Sequence, residues 1–279
     1  MHFNPMLIPA LVLGYALFFA GYRVCARLER ARTQIGWLVF GALLAIPGVL
    51  MPLYYLHLYD RWALFFTFRT LPLSELAASG AGILAGTLAN YAVRLRANPH
   101  VMTVGMLMIL TLGLAAPYIK PILAPVDPSV YRNQWRDGVC LQSTASCGAA
   151  SAATMLRLYG IDATEREIAQ ECYTYVSGTE NWYLARALRK RGLKVDFIFA
   201  HPLLQALPVP SIAGINMGQA GHFITILSED EDHYVIGDPL NGRSEIPKTA
   251  VFDRIQFTGF FMRVTPYDEP SSASRVMSN

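Results

Sequence analysis

Four side chains in this chain are suited to acyl-transfer chemistry, and three short segments carry them. Cys140–Gly160 reads CLQSTASCGAASAATMLRLYG, with Gln142 ahead of Cys147 and a small-residue run behind it. That run, ending at Gly160, predicts a helix over 148–159 with Cys147 at its mouth. There the free N–H groups and the helix dipole favour a thiolate, the reactive form of cysteine. A side-chain amide at Gln142 can donate to an oxyanion formed beside the sulfur. Further on, GHFITIL starts a strand at His222, and HYVIGDPLNG ends a second strand at Asp238. Antiparallel pairing of these two strands brings the imidazole and the carboxylate together. The imidazole can then take the thiol proton while the carboxylate orients it. Each residue also has a plainer reading. Cys147 can be a small buried hydrophobe, Gln142 an exposed loop residue, His222 a strand-edge residue and Asp238 a turn former before proline.

VCLQSTASCGAASAATMLRLYGI, GHFITIL and IGDPLNG together resemble the C39 peptidases, a family of papain-like cysteine peptidases that includes bacteriocin-processing domains. The resemblance covers Gln134 to Arg263. It implies an α+β papain-like fold, with Cys147 as nucleophile, His222 as general base, Asp238 as the orienting carboxylate and Gln142 lining the oxyanion hole. Two departures stand out. Four residues separate Gln142 from Cys147 where the family usually has five, and Ser146 stands where many members have Asp. The sequence has no G-x-x-x-x-G-K-[ST] motif, so cleavage of double-glycine leaders during export is not implied. The acyl-enzyme of a peptidase is shared by thiol acyltransferases and amidases. A catalytically silent peptide-binding domain is a further alternative.

The elements around this domain are of another kind. The chain has 279 residues, 53% hydrophobic and only 15% charged, against roughly a quarter charged in soluble domains. The apolar excess lies before about residue 125, and four stretches are candidate spans: 3–22, 35–56, 76–93 and 101–119. The third is rich in Ala and Gly, and Ala78, Gly82 and Gly86 give it a small-residue face for close helix contact. Prolines after Pro117 predict a stiff linker over 120–133, then a peptidase domain over 134–266 and a disordered polar tail over 267–279. An α-helical transmembrane region thus precedes the papain-like domain.

Arginine placement orients the spans. Arg23, Arg27, Arg30 and Arg32 crowd the first connection, and Arg94 and Arg96 lie in the third. Three spans would put Arg94 and Arg96 outside and the globular domain in the cytoplasm; four spans put both connections inside, and the charge count favours four. The peptidase domain is then expected outside the cytoplasm, in a bacterial inner membrane. That compartment allows a Cys140–Cys172 disulfide that leaves Cys147 free. A net charge of +3 and the lack of any basic-aromatic motif give no role to nucleic acid. The expected partners are a peptide or protein substrate and the lipid bilayer, with the oligomeric state open. No residue pattern calls for a cofactor or a metal. His201 and His233 are expected to be structural.

The Thr164–Glu167 pair predicts a capped helix reaching Tyr173, and 181–191 predicts another that stops at Gly192. Five strands are expected, at KVDFIF, SIAGINM, FITIL, HYVIG and FTGFFMRV.

Overall fold

The structure is a computed structural model that describes residues 4–56, 62–200, 206–218 and 220–267. It divides into two compact units, Met1–Asp60 with Leu71–Leu123, and Arg61–Thr70 with Ala124–Asn279.

The first unit is helical. Its helices are α1 (Leu7–Arg27) and α2 (Ala31–Tyr55) and, after an excursion that belongs to the second unit (α3, Ala63–Arg69), α4 (Ser74–Ala77), α5 (Ala81–Arg94) and α6 (Pro99–Leu123). A 3₁₀ turn at Ala78–Gly80 joins α4 to α5. Four helices, Leu7–Arg27, Ala31–Tyr55, Ser74–Arg94 and Pro99–Leu123, are long and apolar enough to cross a membrane. Their outer faces carry Ile8, Val12, Leu43, Ile109 and Leu112, all largely exposed. The small-residue face of α5 packs on α1. A Cβ on Gly82 would strike the Gly14 carbonyl oxygen, and one on Gly86 the Phe18 carbonyl oxygen. Only glycine lets the two backbones approach so closely. Arg94 closes this end of the pair by donating to the Cys25 and Ala26 carbonyls of α1, at 2.6 and 2.9 Å, and to Leu28 O at 3.1 Å.

Several boundaries differ from the sequence expectation. Most of the arginine-rich first connection is helical, with only Leu28–Arg30 outside α1 and α2. The helix α6 also runs through Pro117 and Pro121 to Leu123, where a linker was expected from 120. Both prolines are buried and lie four residues apart. The N–H that Pro121 lacks is the one that would have met the Pro117 carbonyl, so the defects share one side of the helix. Neighbouring helices tolerate such a defect in an apolar environment. The tail expected to be disordered lies outside the described residues beyond Tyr267, as does His201.

The second unit is α+β. A short hairpin, β1 (Gln134–Arg136) with β2 (Val139–Leu141), precedes α7 (Cys147–Leu158), α8 (Glu165–Glu171) and α9 (Asn181–Lys190). The strands β3 (Leu193–Phe199), β4 (Ser211–Met217), β5 (Ala220–Glu229), β6 (His233–Asp238), β7 (Gly242–Pro247) and, after the short α10 (Val251–Arg254), β8 (Phe257–Pro266) follow. They form one antiparallel six-stranded sheet in the order β3-β8-β4-β5-β6-β7. Five of these strands were legible in the sequence. The sixth, β7, is a polar edge strand bonded only to β6, so it lacks the apolar alternation that marks a half-buried strand. Ala149, Ala150, Ala152 and Ala153 are fully buried, and their small side chains let α7 pack closely against β2, β5 and α8. The capping box at Thr164 is formed, with Glu167 N–H donating to Thr164 Oγ1 and Thr164 N–H to Glu167 Oε2.

The excursion α3 comes from the connection between the second and third long helices. Phe66 is buried among Phe199, Phe197, Phe260 and Trp182, with ring centroids 5.1, 5.4, 6.0 and 6.2 Å away. Two arginines of α9 secure the C-terminal end of α3. Arg186 donates to the Arg69 carbonyl from Nη2 at 2.6 Å and Nε at 3.0 Å, and Arg189 donates to Thr70 Oγ1. A cation at the last carbonyl of a helix, as Arg186 is here, satisfies both hydrogen bonding and the dipole. The apolar run FF in this connection therefore belongs to the core of the second unit.

Candidate active site

Cys147 is the first residue of α7, partly exposed. It is a free thiol, as are Cys140 and Cys172. The Cys140–Cys172 pairing allowed by the sequence is therefore not formed. Cys140 lies in β2 and Cys172 caps α8, and α7 packs against both elements. Each thiol is fully buried. Burial, with the nearby Glu165 charge, pushes Cys140 up to about 12, and burial also raises Cys172. Both behave as small hydrophobes.

His222 lies near the start of β5 and Asp238 ends β6. Thr225 pairs with Gly237 in this ladder. One step further sets Asp238 across from Ile224, two residues from His222, within reach of a diagonal side-chain pair. The side chains do meet: His222 Nε2 and Asp238 Oδ1 are 2.8 Å apart. Asp238 also forms the turn that follows it. Its Oδ1 accepts from the Leu240 N–H at 2.9 Å and its Oδ2 from Asn241 Nδ2 at 2.6 Å. Asp238 thus forms the turn and bonds the imidazole at the same time.

The electrostatics follow from these contacts. Burial favours neutral imidazole at His222, but the hydrogen bond to Asp238 and the influence of Cys147 and of the Asp238 charge outweigh it and raise the pKa to about 9. Since Nε2 is engaged by Asp238, Nδ1 is left for Cys147. Burial likewise raises Asp238, but the bonds from His222, Leu240 and Asn241 prevail and hold it below the usual carboxylate range. Imidazole and carboxylate are bonded to each other, and Cys147 acts on the imidazole electrostatically.

Gln142 is fastened to the same region through its backbone, its N–H donating to Pro239 O at 2.9 Å. Its buried Oε1 has no hydrogen-bond partner, so that end of the amide is uncommitted within the chain. The segment between Gln142 and Cys147 holds Ala145 at φ 54, a left-handed turn. Ser146 is the N-cap of α7 but makes no side-chain cap bond. Its hydroxyl instead donates to Glu165 Oε1 at 2.5 Å. Glu165 was not singled out in the sequence, where it reads as the acidic first residue of a capped helix. No local signal links it to a serine 19 positions earlier. His233 is not among these bonds; its backbone N–H donates to Asp230 Oδ1 at 2.7 Å. Among the described residues, no group of three or more His, Cys, Asp or Glu side chains could hold a metal ion.

Residues 138–269 match the family model described as the peptidase C39 family. A protein of Methanothermobacter thermautotrophicus, described as uncharacterized, is 35% identical over 127 residues, 43% of this chain and 83% of that protein. The chain belongs to the peptidase C39 family. A second protein, from Methanothermobacter marburgensis, is 32% identical over 114 residues, 41% of this chain and 78% of that protein. Among solved structures, the C39 unit is similar to the peptidase domain of Streptococcus ComA, a bifunctional ABC transporter. Identity is 21%, coverage 46% of this chain and 97% of that one, and the TM-score 0.40. It is also similar to a double-glycine-motif protease from an AMS/PCAT transporter, at 27% identity, with 49% and 96% covered and a TM-score of 0.40. The α+β papain-like class expected from the sequence is that of the C39 domain described above. A helical region with four apolar helices long enough to cross a membrane precedes it.

Proposed function

We propose that this chain is a membrane-anchored cysteine peptidase that hydrolyses peptide or protein substrates, with Cys147 as nucleophile, His222 as acid and base, and Asp238 as the orienting group. The observation that carries this reading is the 2.8 Å bond between His222 and Asp238, with Cys147 at the first turn of α7 among the groups that raise the His222 pKa. Cys147 gives its thiol proton to His222, the sulfur attacks the scissile carbonyl carbon, and the C=O π pair moves to oxygen. The Cys147 backbone N–H, at the first turn of α7, and the Gln142 amide receive this oxyanion. As the tetrahedral centre collapses, the C–N bond breaks and the leaving nitrogen takes a proton from the His222 imidazolium. The raised pKa keeps that proton on His222 at neutral pH. The imidazole, now neutral, deprotonates water, whose oxygen attacks the thioester carbon and expels the sulfur with its electron pair.

The test is turnover of a fluorogenic peptide library by the full chain in lipid, with Cys147→Ser beside the wild type. Loss of turnover in well-folded Cys147→Ser is expected, because a hydroxyl at this position is far harder to ionise than a thiol. Undiminished turnover rejects cysteine catalysis.

The reading also includes a side of the membrane. Arg23, Arg27, Arg30, Arg32, Arg94 and Arg96 lie near the first and third helix connections, which supports a cytoplasmic position for both. Docking of α3, from the second connection, inside the C39 unit supports one shared side for that connection and the peptidase domain. Both observations favour a domain outside the cytoplasm.

A further inference from the structure

The segment between Gln142 and Cys147 is short, polar and held in a turn, and something must set its shape. Glu165 does so from the start of α8. It is fully buried. Its Oε1 accepts from the Ser143 N–H at 2.6 Å and the Ser146 hydroxyl at 2.5 Å. Its Oε2 accepts from the Ser143 hydroxyl at 2.8 Å and the Asn133 N–H at 3.3 Å. Four bonds from three residues satisfy a carboxylate that would otherwise be costly to bury.

The bond to Ser146 has a consequence for α7. A serine at an N-cap ordinarily accepts from an N–H of the first turn. Here the hydroxyl is drawn to Glu165, and no such cap bond forms. Such a bond would take the N–H of Gly148 or Ala149, just past Cys147, and its absence leaves the first turn of α7 without a side-chain cap. On the other side, the Gln142 N–H is tied to Pro239 O at 2.9 Å, next to Asp238. The segment 142–146 is therefore pinned at both ends, to the Asp238 turn and to Glu165.

We infer that Glu165 is a positioning residue for the oxyanion hole: its buried carboxylate shapes the Ser143–Ser146 turn so that Gln142 and the uncapped first turn of α7 face the substrate carbonyl oxygen. The inference rests on the acyl-transfer reading of Cys147. Glu165 touches neither the thiol nor the imidazole among its hydrogen bonds, so it acts on the oxyanion and leaves nucleophilicity alone.

The experiment compares wild type, Glu165→Ala and Glu165→Gln as full chains in lipid. Three quantities are read: kcat and KM on a cleaved peptide, the affinity for N-acetyl dipeptide aldehydes, and the iodoacetamide alkylation rate of Cys147. An aldehyde takes the sulfur at its carbonyl carbon, and its oxygen, protonated on forming the hemithioacetal, occupies the oxyanion hole. Alkylation is a displacement of iodide and needs no such hole. Glu165→Ala is expected to lower kcat on the order of 10²-fold, as loss of an oxyanion donor does. Aldehyde affinity should fall by at least about 10-fold with it, while KM and the alkylation rate stay within about 2-fold. Glu165→Gln keeps the shape and folds where alanine does not, and a smaller loss of the same pattern is expected. Unchanged kcat and aldehyde affinity in folded variants overturn the inference. So does a parallel fall in alkylation rate, which marks general loss of structure. If wild type binds aldehydes in a Glu165-dependent way but cleaves nothing, hydrolysis is rejected and the positioning role stands. If wild type neither cleaves nor binds aldehydes, both are rejected.

Discussion

Asp238→Asn isolates the charge of the proposed orienting group. Asparagine can keep the geometry: its Oδ1 still accepts from the Leu240 N–H, 2.9 Å away in the wild type, and from a protonated His222 Nε2 at 2.8 Å. Rotation of the Asn241 amide relieves the new contact where Oδ2 accepted its Nδ2. What is lost is the negative charge on a bond to a cation. Bonds to charged groups contribute about 1.5–3 kcal/mol; with both partners ionised the bond lies near the top of that range and with only His222 ionised near the bottom, so the loss is about 1–1.5 kcal/mol. At about 1.4 kcal/mol per factor of ten, kcat/KM falls by about 5- to 12-fold at neutral pH. The pH profile must move as well. In the wild type the proton on His222 is lost as pH rises through about 9, and the Asp238 bond and charge are among the causes of that elevation. Removing the charge moves the alkaline limb of kcat/KM to lower pH. The same proton contributes stability that is fully present below the unfolded histidine value, about 6.5, and is lost as pH rises through the folded one. The assay is kcat/KM from about pH 5 to 10 on one fluorogenic peptide, chosen from the working range of the unfolded and folded histidine. An Asp238→Asn protein with the wild-type alkaline limb, or one as inactive as Cys147→Ser, would refute the assignment.

Gln142→Ala should lower kcat on the order of 10²- to 10³-fold with KM little changed, measured on the same peptide. A loss confined to KM would show that the amide binds substrate in its ground state instead. Phe66→Ala removes a ring with 1% exposure from an aromatic cluster of the C39 unit, and such a deletion costs about 3–5 kcal/mol. The melting temperature of the full chain should drop clearly, and an unchanged value argues that α3 is not part of that core. Alkaline phosphatase fused after Arg136 should be active and a cytoplasm-dependent fluorescent reporter at the same site dark. The opposite pair of signals places the C39 unit in the cytoplasm.

The elements legible in the sequence were those written in local pattern. The alanine run after Cys147, the Thr164–Glu167 capping box and the apolar alternation of β3 to β6 and β8 each depend on residues a few positions apart. So does the small-residue face of α5, since Gly82 and Gly86 are one turn apart and meet a single neighbour. The meeting of His222 with Asp238 was legible for the same reason: a short charged turn joins their strands and confines the register.

What tertiary structure decided involved partners far apart in the chain. Glu165 reaches back to Ser143 and Ser146 across α7, and no spacing rule links a helix start to a loop one helix earlier. Cys140 and Cys172 were each visible as cysteines, but only the packing of α7 against β2 and α8 decided that they stay separate thiols. Pro117 and Pro121 read as a helix end because the local rule counts the missing N–H groups; burial among neighbouring helices let α6 continue to Leu123. The Phe65–Phe66 pair lies in the connection between the second and third long helices, and hydrophobicity alone does not name its partner. The folded chain spends it in the core beside Trp182, since burial of apolar surface is non-directional and goes to whichever complementary surface the topology brings near.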